Sequence, residues 1–241
     1  TGTWFDQVQA YYYANLLSGI KTHLRNLIGN SANVLANTIT PLGAVPMDVL
    51  RHARTGQPRT VFFREMGPAM VGGFIGMQRG VANAAFTFSQ GFRPSTVEAA
   101  REGRFDTPRV ELPGGRLNPF NIPSRALEAA DEFFRAIAYH QELYASAYSQ
   151  AHGEGLTDIT NIRDRMSDLM ADGKAQTRAA EFAARAVFQE EPGPIVNWLL
   201  KAKAPTAPIP LRAAAMFLAP FIRTPSAILR QGMEWTPAGF V

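Results

Sequence analysis

The sequence predicts a mainly α fold: an irregular multi-helix assembly with extended Pro/Gly-rich arms and no significant sheet. Three observations carry that expectation. Apolar residues recur at three- and four-residue spacing along most of the chain. Capping residues and prolines punctuate those runs. No run alternates polar and apolar residues as a half-buried strand does.

In chain order, residues 3–17 and 21–39 carry helical periodicity, with Ser18–Gly19 between them and Pro41 expected to close the second helix. A loop with Pro46 and Pro58 is expected next. Pro68 opens an apolar segment that runs to about Phe88. Ser95-Thr-Val-Glu98 is a capping-box signature for a short helix to about Arg104. Prolines and glycines between Phe105 and Pro123 disfavour regular structure, so this stretch reads as an extended arm. A long helix over 124–152 follows, then helices near 158–172, 174–190, 194–203 and 211–219, with one more in the tail. Five regions result: a helical hairpin and loop (1–60), a Gly/Ala-rich helix and short capped helix (61–104), the arm (105–123), a helical domain (124–203), and a Pro-rich linker with C-terminal helices (204–241).

With 241 residues and 46% hydrophobic content, the chain can bury a substantial core. It has no cysteine, which excludes disulfides, iron–sulfur clusters and thiolate zinc sites. It starts at Thr1 without a charged-then-apolar leader and reads as a piece of a longer polypeptide. The net charge of +4 is unevenly placed. Residues 1–125 hold 13 basic and 7 acidic groups, 126–200 hold 6 and 12, and 201–241 hold 5 and 1, giving +6, −6 and +4. Twenty of the 24 basic residues are Arg, which suits forked contacts to carboxylate or phosphate. Such charge blocks fit either a surface of mixed ion pairs or an interface or DNA-lining role.

Chemical motifs are nearly absent. None of the four histidines (His23, His52, His140, His152) has Glu three residues before it, as a helical di-iron site requires. There is no H-E-x-x-H for zinc and no G-x-S-x-G nucleophile elbow. Gly173–Lys174 lacks the earlier glycine of a phosphate loop, and "HGEGLTD" (152–158) has too few spaced carboxylates for an EF-hand. No catalytic, cofactor-binding or metal-ligating residue is assigned, and the chain reads as a non-enzyme.

Two stretches are candidates for interaction. Gly72, Gly76, Gly80 and Ala84 recur every four residues on one helix face, a pattern that lets two backbones approach closely. Each helical glycine costs about 1 kcal/mol relative to Ala, so close packing must offset the loss. The apolar part, 66–77, is too short to span a bilayer, and a protein–protein contact is the favoured reading over a membrane-inserting element. The second stretch is "PSRALEAADEFF" (123–134). Ser124 is a good N-cap, and Glu128 and Asp131 suit the positive end of the helix dipole. Leu127, Ala130, Phe134, Ile137, Tyr144 and Tyr148 form an apolar stripe. Asp131 and Arg135 are spaced to pair, and with Glu132 they are read as part of a solvated or partner-facing face rather than as catalytic carboxylates.

Three separated segments, taken together, resemble a known family. "YYYANLLSGIKTHLRNLIGNSAN" (11–33), "PSRALEAADEFFRAIAYHQELYASAYSQA" (123–151) and "LAPFIRTPSAILRQGMEWTP" (218–237) are similar, in the same order, to stretches of large polyvalent or internal virion (DNA-ejection) proteins of tailed bacteriophages. The resemblance touches about a third of the residues but spans the chain. Ile20 stands where the family usually has Pro after LLSG. It transfers no catalytic residue. It implies a homo-oligomeric virion component in the capsid interior or on the portal–tail axis. Its implied partners are the portal protein and other ejection or tail proteins, with double-stranded DNA and, after release into the host envelope or periplasm, the host membrane as further contacts. Two alternatives stand beside it: a membrane-active channel segment, and a non-catalytic part of a larger virion enzyme such as a lytic transglycosylase or virion polymerase.

Overall fold

The computed structural model describes residues 4–57, 62–91, 114–189, 198, 201–202 and 207–218. The fold is mainly α, and no strand occurs among these residues. The principal helices are α1 (Trp4–Leu17), α2 (Ile20–Thr55), α3 (Met66–Gln90), α4 (Ile122–Gly153), α5 (Ile159–Ala171), α6 (Gly173–Ala186) and α7 (Ile209–Leu218). The chain divides into two compact units, each assembled from separated segments. One comprises Thr1–Asn26, Ala85–Ala129 and Phe188–Val241; the other comprises Leu27–Ala84 and Ala130–Val187. The expected short helix 95–104 and most of the expected helix 194–203 lie outside the described residues, as does much of the 105–123 arm.

In the first unit, Phe5, Gln9, Ala14 and Leu17 are the buried positions of α1. The Arg212 guanidinium of α7 is buried there, donating to Gln9 Oε1 at 3.0 Å and lying 4.9 Å from the Phe5 ring centre. That stacking is a cation–π contact, favourable where water is excluded. Arg125 Nη1, at the start of α4, donates to the Phe88 and Ser89 carbonyls at the end of α3. Carbonyls of a last helical turn have no intrahelical donor, so this buried cation satisfies them and complements the negative helix end. Gly91, at φ +78°, closes the same terminus.

Residues 114–121 do not run as an extended arm. They form two 3-10 turns, Gly115–Leu117 and Pro119–Asn121, which lead directly into α4. This moves the helix start two residues ahead of Ser124. The capping oxygen is Asn118 Oδ1, which accepts from Phe120 N–H, whereas Ser124 Oγ donates back to the Asn121 carbonyl. The expected Ser124 cap is therefore corrected: a 3-10 entry gives the capping task to the residue before its own first turn.

The second unit is built around the later part of α4. Phe134, Ile137, Val34 and Val187 form one apolar cluster. Ala138, Ala183 and Ala186 form another, and Leu143, Ala175 and Ala179 a third. The alanines of α6 fall on one face, which lets α6 approach α4 closely. Beyond α4, Gly155 adopts φ +85° and Asp158 caps α5, its carboxylate accepting from Thr160 and Asn161 N–H. The "HGEGLTD" segment is thus a helix end, a turn and a new cap.

Helix α2 overrides the expected stop at Pro41. It passes through Pro41 and Pro46 and ends at Thr55, where Gly56 at φ +70° bonds back to the His52 carbonyl. An internal proline removes a helical hydrogen bond and costs about 3 kcal/mol. Tertiary contacts on both sides of Pro41 offset it. Before it, Asn30 Nδ2 donates to Asp131, Asn33 Nδ2 to the Ala186 carbonyl, and Thr38 accepts from Gln141 Nε2. After it, Val45 and Asp48 are buried. The loop expected around Pro46 is consequently helix as far as Thr55, and Pro58 lies outside the described residues.

Candidate interaction surface

The glycines of α3 meet α4 within the same chain. A Cβ added at Gly76 would lie 2.6 Å from the Ala136 carbonyl oxygen and 2.7 Å from Ile137 Cα. At Gly80 it would lie 2.8 Å from the Phe133 carbonyl oxygen, and at Gly72 it would collide with the His140 carbonyl. These partners are backbone atoms that a rotamer change cannot clear. Glycine is required here by close approach. The close helix contact read from Gly72, Gly76 and Gly80 is thus intramolecular, and Ala84 is half-buried on the same helix. This corrects the expectation that the small-residue face meets another protein.

The charged face of α4 also turns inward. Glu132 and Arg135 are 4% and 5% exposed. Asp131 Oδ1 accepts from Asn30 Nδ2 at 2.8 Å. The expected solvated or partner-facing face is corrected accordingly: with α2, α3 and α6 all packed on α4, that face has little access to solvent. The sequence misleads here because charged residues ordinarily stay at the surface.

Titratable groups on the remaining turns of α4 are similarly enclosed. Burial, assisted by the Arg79 guanidinium, holds the His140 imidazole below its ordinary value. Burial pushes the Glu142 carboxyl up; nearby Arg178 opposes that shift and Glu65 reinforces it. Ser149 Oγ donates to Glu65 Oε1 at 2.7 Å. His52 and His152 each face a carbonyl just past a helix end, those of Gln57 and Leu156. Among the described residues no group of three or more His, Asp or Glu side chains could hold a metal ion.

The outward faces of α2 and α3 have the opposite character. On α2, Ile28, Ala32, Leu35, Ile39, Leu42, Pro46, Val49 and Ala53 follow a strict four–three spacing and all are exposed. Leu35 is 63% exposed. This lane covers 25 residue steps, about 37 Å of helix. On α3, Met70, Phe74, Met77 and Val81 follow the same spacing and are likewise exposed, Phe74 at 62%. At 100° per residue this second lane lies roughly 130° around α3 from its glycine face. A four–three apolar lane is the seam of helix-on-helix packing, in which each side chain enters a gap on a facing helix. Contiguous exposed apolar surface of this kind marks an interaction site. No charged residue occupies any position of either lane.

No protein-family model, curated protein or solved structure matches this chain. Among the described residues no helix is long and apolar enough to cross a membrane.

Proposed function

We propose that this chain is a structural, non-catalytic subunit of a tailed-phage DNA-ejection assembly, held in the virion near the portal and contributing to the conduit for genome delivery. The resemblance of its three segments to internal virion proteins motivates the phage assignment. The observation that supports a subunit role is the pair of exposed apolar lanes on α2 and α3. A helix seam left open to water is favourable only when another surface covers it. Asp131 and Glu65 accept hydrogen bonds from Asn30 and Ser149 of other helices, which suits these carboxylates to holding helices together.

The test is a reconstruction of the particle from which the chain comes. Density for the chain on the portal–tail axis or in the capsid interior is expected. Its absence from the particle would overturn the reading, as would loss of a measurable hydrolytic activity on conversion of Glu65 and Glu142 to their amides.

A further inference from the structure

We infer that the two open lanes are made for each other across copies: the α2 lane of one chain docks on the α3 lane of a second. This deepens the subunit reading and rests on it. Both lanes belong to the same compact unit and share one four–three period, so they are matched as seam and counter-seam.

Side-chain size favours this pairing over like-with-like. The α3 lane is uniformly bulky, with Phe74 its largest member. Two such lanes facing one another would set large groups against large groups. The α2 lane interposes small residues, Ala32 and Pro46, between leucines and isoleucines. Close packing between helices alternates large and small across the contact. Phe74 therefore finds its gap at Ala32 or Pro46.

Coverage leads to the same pairing. Covering both lanes of every copy takes one kind of interface if α2 meets α3, but two different kinds if each lane meets its like. An α2-to-α3 contact uses one lane of each kind. Each large exposed side chain offers on the order of 100 Å², so the five of the α2 lane and the four of the α3 lane bury roughly 900 Å², near the lower bound for a specific interface. Since neither lane carries charge, the contact does not depend on the +6/−6 charge blocks and resists salt.

The experiment measures the mass of the full chain in solution by analytical ultracentrifugation. It compares the wild type, the α2-lane variant Leu35→Glu/Leu42→Glu and the α3-lane variant Phe74→Glu/Val81→Glu. All four positions are exposed, so unchanged helicity by circular dichroism is expected and checked. The wild type should associate at micromolar concentration in both 0.1 M and 1 M salt. Each variant alone should be monomeric. An equimolar mixture of the two variants should form a two-chain species and nothing larger, because one intact lane of each kind remains. If the α3-lane variant alone keeps the wild-type mass, α2 pairs with α2 and the inference is wrong. A mixture that stays monomeric while the wild type associates also overturns it.

A wild type that remains monomeric but binds phosphatidylcholine/phosphatidylglycerol vesicles assigns the lanes to lipid and overturns it as well. Since the chain has no cysteine, a second readout is clean. Phe74→Cys mixed with Ala32→Cys or with Pro46→Cys should give an oxidised heterodimer in one of the two mixtures, and failure in both counts against the pairing. None of these outcomes bears on whether the chain lies in a virion, which the particle reconstruction decides separately.

Discussion

Helix α4 and helix α2 invert the usual distribution of side chains in opposite senses. Helix α4 encloses Glu132, Arg135 and His140, whereas α2 leaves Ile28, Leu35, Ile39 and Leu42 in water. Small residues produce the first inversion. Glycines on α3 and alanines on α6 bring two backbones close to α4, leaving its polar side chains little route to solvent. For the second inversion, the described residues supply no covering element. The contrast separates a face that the chain's own helices cover from one that stays open among the described residues.

The strongest way to break the α4 side of that contrast is Gly76→Leu. The new side chain would begin 2.6 Å from a carbonyl oxygen of α4, so a helix rather than a rotamer must move. We expect a loss of more than about 4 kcal/mol, above the usual range for overpacking, read by urea or thermal denaturation. A stable, helical Gly76→Leu protein with altered association alone would restore the intermolecular reading of the glycine face. Next in size is Phe134→Ala, expected to cost about 3 kcal/mol because the ring is buried with Val34, Ile137 and Val187.

Glu142→Gln sharpens the contrast through pH. The folded-state carboxyl is held above its unfolded value, so its penalty is absent below about pH 4.5 and develops as pH rises through the raised value. The amide variant should therefore be more stable than wild type at pH 8, by about 1 kcal/mol, with the advantage vanishing near pH 4. His140 acts in the other direction. Its folded value is lowered, so its contribution is complete above about pH 6.5 and is lost as pH falls. Stability curves of the two proteins from pH 4 to 8 check both signs. The smallest effect belongs to Ser124→Ala, expected within about 0.5 kcal/mol rather than the 1 kcal/mol of a lost cap, since Asn118 does the capping.

Helix class and order were readable from periodicity, because apolar spacing reports the face a helix buries whatever it packs on. The long helix at 124–152 appears with its start displaced only by the 3-10 entry at Pro119–Asn121. Pro41 misled, because local propensity carries no knowledge of Asn33 reaching the Ala186 carbonyl 153 residues away. The glycine face was legible as a close contact but not as an internal one: spacing fixes the geometry of a contact and is silent on whose backbone supplies the other half. The α2 and α3 lanes follow a four–three spacing present in the sequence. Only exposure distinguishes such a seam from an ordinary core stripe.

The contact between Asn33 and Ala186 also sets a clock for biosynthesis. The second unit takes its helices from Leu27–Ala84 and from Ala130–Val187, so the faces of α2 and α3 that pack on α4 stay uncovered until the other half exists. Between Gln90, where α3 ends, and Ala186, where α6 ends, lie 186 − 90 = 96 residues. At about 5–20 residues per second a ribosome needs roughly 5–20 s to make them. Through that interval the nascent α2 and α3 segments expose the faces destined for α4 as well as their outward lanes. Chains truncated between residues 100 and 180 should consequently aggregate or engage holding chaperones, whereas the chain released past Val187 should escape both.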